Sequence, residues 1–118
     1  MDHKELDVWK ESMILVEYIY KFTADFPKAE IYGLTSQMRR AAISIPSNIA
    51  EGSARNGYKE LFQFVGIAMG SASELETQIL IAIKLGYATQ KDDVILNQLH
   101  SVRKLLIGYK KYIKTNLL

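Results

Sequence analysis

Residues 39–55 read RRAAISIPSNIAEGSAR, a stretch that combines the apolar periodicity of a helix with a proline and several short polar side chains. At about 100° of rotation per residue, Met38, Ile45 and Ile49 fall on one side of this segment. Because apolar residues recur at intervals of three and four, the pattern predicts a helix with one buried face. Pro46 has no N–H group to donate, so we expect a kink or a local break around it.

Polar residues at helical spacing occupy another side of the same predicted helix. Short hydrogen-bonding side chains seldom favour a helix interior, because they compete for backbone groups. They suit a packed or ligand-facing side better than a freely solvated one, although a kinked helix wrapping the core would also accommodate them. The stripe consists of Arg40, Ser44, Ser47, Asn48 and Glu51.

Apolar residues recur at helical spacing in four segments, 6–20, 34–49, 61–83 and 95–113. No segment alternates in the manner of a strand, and the connections are short, so successive helices should be antiparallel neighbours. The sequence therefore predicts an all-α fold, an antiparallel up-down-up-down four-helix bundle that forms one domain over residues 1–118. In the first segment the predicted buried seam is Leu6, Trp9, Met13, Val16 and Tyr20.

Several residues are predicted to end or begin these helices. Thr35 or Ser36 can cap the second helix, since a hydroxyl can accept from a free backbone N–H of the first turn. Gly86 is the expected residue just beyond the third helix. Thr89 and Asp92 have the spacing of a capping box at the start of the fourth.

The third segment places Gly66 and Gly70 four residues apart on one face, among other small residues. Each glycine costs a helix about 1 kcal/mol relative to alanine, so the pair needs a reason. One interpretation is tight packing inside the subunit, and the other is a subunit interface. Ser71 and Glu74 add a polar stripe to the same helix.

Composition excludes several classes of site. The chain of 118 residues has no cysteine and two histidines, His3 and His100, which excludes disulfides and thiolate metal sites. It shows no signal-peptide core and no apolar run long enough to span a bilayer, so we expect a cytoplasmic protein without a membrane segment. Nothing resembles a catalytic constellation, and we expect no enzymatic activity, no metal and no cofactor.

Charge is distributed unevenly. The formal net charge is +2, yet residues 1–30 hold seven acids against four lysines, and residues 103–118 hold five cations and no acid. Such asymmetry can mark a nucleic-acid surface, although cations at a helix C-terminus are also favoured by the helix dipole. On a helical projection the five cations share one outward face away from the apolar seam, which predicts phosphate contacts without sequence specificity. They are Arg103, Lys104, Lys110, Lys111 and Lys114.

Four strings carry a family resemblance: LDVWKES at 6–12, FPKAEIYGLTSQMRRAAISIPSNIAEGSAR at 26–55, FVGIAMGSASELETQI at 64–79 and LGYA at 85–88. They closely resemble the four-helix-bundle family encoded by intervening sequences of bacterial 23S ribosomal RNA genes. That family is similar to the accessory variability proteins of diversity-generating retroelements, which are homopentamers that bind nucleic acid and a reverse transcriptase. The resemblance implies a homo-oligomer, a pentamer, with RNA or DNA as a partner, and it does not imply catalysis.

The resemblance also implies a role for the polar residues of segment 39–55. It implies a structural network or interface in which the polar stripe is satisfied across helices or subunits. Arg39 or Arg40 would pair with Glu51, Glu74 or Glu76, and which pair forms stays open. The family signature comprises Arg39, Arg40, Ser44, Pro46, Asn48, Glu51 and Gly52, and Gly66, Gly70, Ser71 and Glu74 join it as candidate structural or interface residues.

Two functions of different classes follow from the sequence. The first is an accessory protein that binds nucleic acid through basic helix faces of an oligomer. The second is a structural scaffold that binds an unidentified protein partner, its basic surface being incidental. A ribosomal component is a weaker third interpretation, since ribosomal proteins are usually far more basic than a net charge of +2.

Overall fold

The computed structural model describes residues 2–88 and 93–118, and four α-helices make up most of this part of the chain. Short 3-10 helices precede the first two α-helices, and a π-helical turn extends the fourth. No strand occurs in the described ranges, which confirms the all-α class. The α-helices are α1 (Asp7–Thr23), α2 (Leu34–Ala54), α3 (Tyr58–Lys84) and α4 (Asp93–Tyr112), the 3-10 helices are His3–Glu5 and Lys28–Glu30, and the π-helical turn is Ile113–Leu117.

The helices form a closed ring of neighbours. In the described residues α1 packs against α2, α2 against α3, α3 against α4 and α4 against α1, whereas the diagonal pairs make no close backbone contact. Ser44 of α2 contacts Ser71 of α3, and Gly52 near the end of α2 lies against Leu61 near the start of α3. Residue numbers rise along one helix as they fall along the other, as antiparallel packing requires. The up-down-up-down bundle is therefore confirmed.

The core lies along the bundle axis, and the predicted seams of α2, α3 and α4 supply most of it. The predicted seam of α1 is wrong in part: Leu6, Trp9 and Val16 pack against the core, but Met13 and Tyr20 are 43% and 40% exposed. Ser12 and Thr23 are buried instead, together with apolar residues of the same face. Their hydroxyls donate to backbone carbonyls of the preceding turn at 2.8 Å, so both polar groups are satisfied inside the core.

Pro46 is buried within α2, which continues as a helix on both sides of it. The expected local break is therefore not seen.

Helices α2 and α3 approach each other closely at Gly52, just before the three-residue link 55–57. A Cβ atom on Gly52 would lie 2.8 Å from Cβ of Phe64 and 3.3 Å from Cα of Leu61. Only glycine fits here without moving one of the two helices.

The glycines of α3 are not explained by tight packing inside the subunit. A Cβ on Gly70 would meet no atom within 4 Å, and one on Gly66 would meet only the side chain of Lys110, at 3.4 Å. Close contact within the subunit is therefore not the reason for Gly70. The subunit-interface interpretation stays a prediction.

The end of α3 has the expected glycine cap. Gly86 has a φ of 80°, and its N–H donates to the carbonyl of Ile83 at 3.0 Å. The N–H of Tyr87 donates to the carbonyl of Ala82 at 2.9 Å, which completes a Schellman motif. The predicted role of Gly86 is confirmed.

The start of α2 is capped by a residue that the sequence analysis did not select. Oε1 of Glu30 accepts from the N–H of Leu34 at 3.2 Å, and neither Thr35 nor Ser36 caps the first turn. The predicted capping box of α4, residues 89–92, lies outside the described residues.

Across the described ranges, no helix is both long and apolar enough to traverse a bilayer.

Candidate nucleic-acid interface

The five cations of α4 and its extension fall into two groups. Lys104, Lys111 and Lys114 are exposed. No carboxylate of the described residues lies within 4.0 Å of their ammonium nitrogens. Arg103 and Lys110 turn toward α3 and are half-buried. The exposed group leaves three cations free to contact phosphates.

Arg103 is bound to α3 by an ion pair. Its Nη1 lies 2.8 Å from Oε1 of Glu76, and the two side chains are 34% and 29% exposed. Since Glu76 offsets its charge, Arg103 contributes less to an attractive field than its position on the helix suggests. Its guanidinium instead joins α3 to α4 through a charge-assisted hydrogen bond.

Lys110 also packs against α3. Its Nζ lies 4.9 Å from the centroid of the Phe62 ring, a cation–π distance. The same side chain passes over Gly66, whose missing side chain leaves the space. No carboxylate of the described residues lies within 4.0 Å of its Nζ, so Lys110 adds to the positive potential of α4 from a fixed position.

An acidic residue bounds this face on the side of α1. Asp7 and Lys104 line the same shallow groove of about 270 Å³, together with Leu105 and Gly108. The strongest uncompensated positive charge therefore lies toward the C-terminal end of α4, at Lys111 and Lys114.

Ser44 and Asn48 of the polar stripe of α2 form hydrogen bonds, and one of these bonds reaches α3. The hydroxyls of Ser44 and Ser71 lie 2.8 Å apart across the α2–α3 contact. Nδ2 of Asn48 donates to both the carbonyl and the hydroxyl oxygen of Ser44, at 2.7 and 2.8 Å. These three side chains join α2 to α3 by hydrogen bonds.

Arg39 and Arg40 do not form the expected pairs with glutamates in the part of the chain that the structure describes. Nε of Arg39 donates to Oγ1 of Thr23 at 2.9 Å, and its guanidinium carbon lies 4.5 Å from the centroid of the Tyr20 ring. Arg39 therefore joins α2 to α1. Arg40 is exposed, and no described carboxylate lies within 4.0 Å of it.

The candidate carboxylates of the stripe have other partners. Glu51 pairs with Arg55 at 3.3 Å, and Glu74 accepts from Gln78 at 3.3 Å. The members of each pair are four residues apart in sequence. Arg40 and Glu74 therefore present exposed polar groups on the outer side of α2 and α3.

A cavity of about 700 Å³ lies at the end of the bundle where α2 ends, α3 begins and α4 ends. The sequence analysis did not predict it. Tyr109 and Tyr112 are three residues apart and therefore share one side of α4, which is the sequence pattern that could have indicated an aromatic site here. Tyr58 joins them only through the fold. The polar and aromatic residues that line it are Ser53, Arg55, Asn56, Tyr58, Tyr109 and Tyr112.

Comparisons with known proteins agree with this architecture. The model of the 23S rRNA-intervening sequence protein family matches residues 4–108. A crystal structure of a protein with unknown function, from the S23 ribosomal protein family of Bacteroides thetaiotaomicron, is 26% identical in sequence. The similarity covers 88% of this chain and 98% of that chain, with a TM-score of 0.78. No curated protein matches the sequence.

Proposed function

The chain belongs to the 23S rRNA-intervening sequence protein family, and we propose that it is a non-catalytic helical bundle that binds RNA or DNA through α4. The observation that carries this proposal is the exposed group of Lys104, Lys111 and Lys114, with no described carboxylate within 4.0 Å. An unpaired ammonium group contacts phosphate as a point charge. Lys110, fixed on Phe62, adds a further cation.

The mode of binding follows from the chemistry of these side chains. Lysine ammonium groups attract phosphates, and phosphate contacts fix position without reading sequence. Each contact on a duplex releases counterions, so the affinity should fall with salt by a log–log slope of about 0.9 per contact. We therefore expect salt-sensitive binding that differs little between sequences.

The test is a double charge reversal, Lys111→Glu with Lys114→Glu, measured by fluorescence anisotropy on a labelled duplex during a salt titration. We expect the variant to lose detectable binding at low salt while retaining its helical circular dichroism. The matched control reverses Lys28 and Lys84, exposed lysines at the opposite end of the bundle. It changes the net charge equally, so it separates a local site from a general charge effect.

Two results would contradict the proposal. Wild-type protein that binds no nucleic acid at low salt would favour the scaffold function. Equal losses in the α4 variant and the control would show that net charge, and not the α4 face, controls binding.

We also propose that the protein is a homo-oligomer, with a pentamer as the assembly that the resemblance implies. What supports assembly is the outer side of α3 and α4, where Ile67 and Ile107 are 51% and 52% exposed and Gly70 leaves open space. A ring of subunits would repeat the α4 face and multiply weak phosphate contacts.

Light scattering coupled to size-exclusion chromatography measures the assembly directly. Gly70→Leu places a large side chain where the subunit has no atom within 4 Å of a Cβ. We therefore expect it to reduce the oligomer without unfolding the bundle. A wild-type protein that is monomeric at micromolar concentration would refute the assembly proposal.

A further inference from the structure

The 700 Å³ cavity at the end of the bundle has a volume typical of ligand sites, which measure about 300–1000 Å³. Two of its lining residues, Tyr112 and Leu117, flank Lys114 in sequence. Leu6, Leu61 and Leu117 contribute its apolar surface. It is therefore an amphipathic recess at the end of the face that the proposed function assigns to nucleic acid.

Three tyrosines give this cavity its aromatic character. Tyr58 and Tyr112 are each 53% exposed, so their rings are accessible, while Tyr109 is half-buried against the core. The three phenols are close enough to interact: burial, then the neighbouring Tyr112 and Tyr58, raise the pKa of Tyr109. A raised pKa keeps the Tyr109 phenol neutral at physiological pH, so it does not repel a phosphate backbone.

The polar residues of the cavity suit a neutral heterocycle better than an anion. Arg55 is already engaged, since it pairs with Glu51 at 3.3 Å and with Glu60 at 3.6 Å. Asn56 is exposed and carries both a donor and an acceptor, which match the edge of a base. Cations instead flank Tyr112 in sequence, with Lys111 immediately before it and Lys114 two residues after it.

We infer that this cavity receives an unpaired base of single-stranded nucleic acid, stacked on Tyr112 and Tyr58, while Lys111 and Lys114 contact the flanking phosphates. The inference rests on the proposed function and adds that single strands are the preferred ligand. Exposed aromatic rings beside a basic track are the common means of holding single strands, because every base offers a face for stacking. A base in a duplex is already stacked and cannot enter.

The experiment compares a single-stranded oligothymidylate with an abasic oligonucleotide of equal length, which keeps the phosphates and lacks the bases. We expect wild-type protein to bind the base-bearing strand about 5- to 150-fold more tightly than the abasic strand, the range for one stacked base. Tyr112→Ala should reduce that ratio at least several-fold, and Tyr112→Ala with Tyr58→Ala should bring it to about one, without weakening binding of the abasic strand. Tyr112→Phe, which keeps the ring, should preserve the ratio.

Tyr32→Ala is the matched control, because Tyr32 is 93% exposed near the start of α2, at the other end of the bundle. It should leave the ratio unchanged. Equal binding of both strands by wild-type protein would overturn the cavity assignment and leave phosphate binding by α4 intact. Failure to bind either strand or a duplex would overturn both proposals.

Discussion

Replacing Gly52 by alanine tests how closely α2 and α3 approach each other at their link. The new Cβ would lie 2.8 Å from Cβ of Phe64 and 3.3 Å from Cα of Leu61. Both atoms are held by the backbone of α3, so the clash cannot be relieved by rotating a side chain. Overpacking of this kind costs about 1–3 kcal/mol, and the gain in helix propensity near the end of a helix recovers less than about 1 kcal/mol.

We therefore expect Gly52→Ala to lower the free energy of unfolding by about 1–2 kcal/mol, or the Tm by about 4–8 °C. Gly108→Ala, inside α4, is the matched control, since its Cβ would meet no atom within 4 Å. That substitution should raise the stability of the subunit by about 0.5–1 kcal/mol. Urea and thermal unfolding, followed by circular dichroism, measure both.

The two substitutions should change stability in opposite directions. If Gly52→Ala were as stable as wild type, the close approach of α2 and α3 would not constrain this position. Such a result would refute the steric explanation for glycine at position 52.

Two further predictions concern polar contacts of the bundle. Arg39→Ala should destabilise the fold by about 1–2 kcal/mol, because it removes the hydrogen bond to Thr23 and the packing on the Tyr20 ring. Arg40 is exposed, so Arg40→Ala should change the stability by less than about 0.5 kcal/mol in thermal melts. The Tyr87 hydroxyl, and next the backbone N–H of Leu34, hold the pKa of Glu30 below its ordinary value of 4.5. The stabilisation of the fold by the ionised Glu30 carboxylate is therefore present above pH 4.5 and is lost as the pH falls through the lowered pKa. Melts from about pH 3 to pH 7 should show Tyr87→Phe less stable than wild type near neutrality, with the difference shrinking in acid; a difference independent of pH would contradict this assignment.

The fold could be predicted from the sequence because apolar periodicity records which face of a helix is buried. It succeeded for α2, α3 and α4, whose buried faces are mainly apolar. It failed in part for α1 because Ser12 and Thr23 are buried as hydroxyls that bond to their own helix, a solution that a count of apolar residues cannot register.

The candidate site was only partly predictable. The cations of α4 follow from spacing, but their partners depend on which helix lies beside them. Glu76 and Arg103 are 27 residues apart and meet only because α3 and α4 are antiparallel neighbours. Tyr58 likewise lines the cavity from α3, and no local sequence pattern indicates this position.

The short link 55–57 also bears on the order in which the bundle assembles. The hydrogen bond between Ser44 and Ser71 spans 27 residues, whereas the one from Gln98 to the carbonyl of Glu11, which joins α4 to α1, spans 87. Shorter loops close with less loss of entropy, so α2 and α3 should pair early and α4 should dock on α1 late. In stopped-flow experiments, Ser44→Ala should therefore mainly slow folding, and Gln98→Ala should mainly speed unfolding.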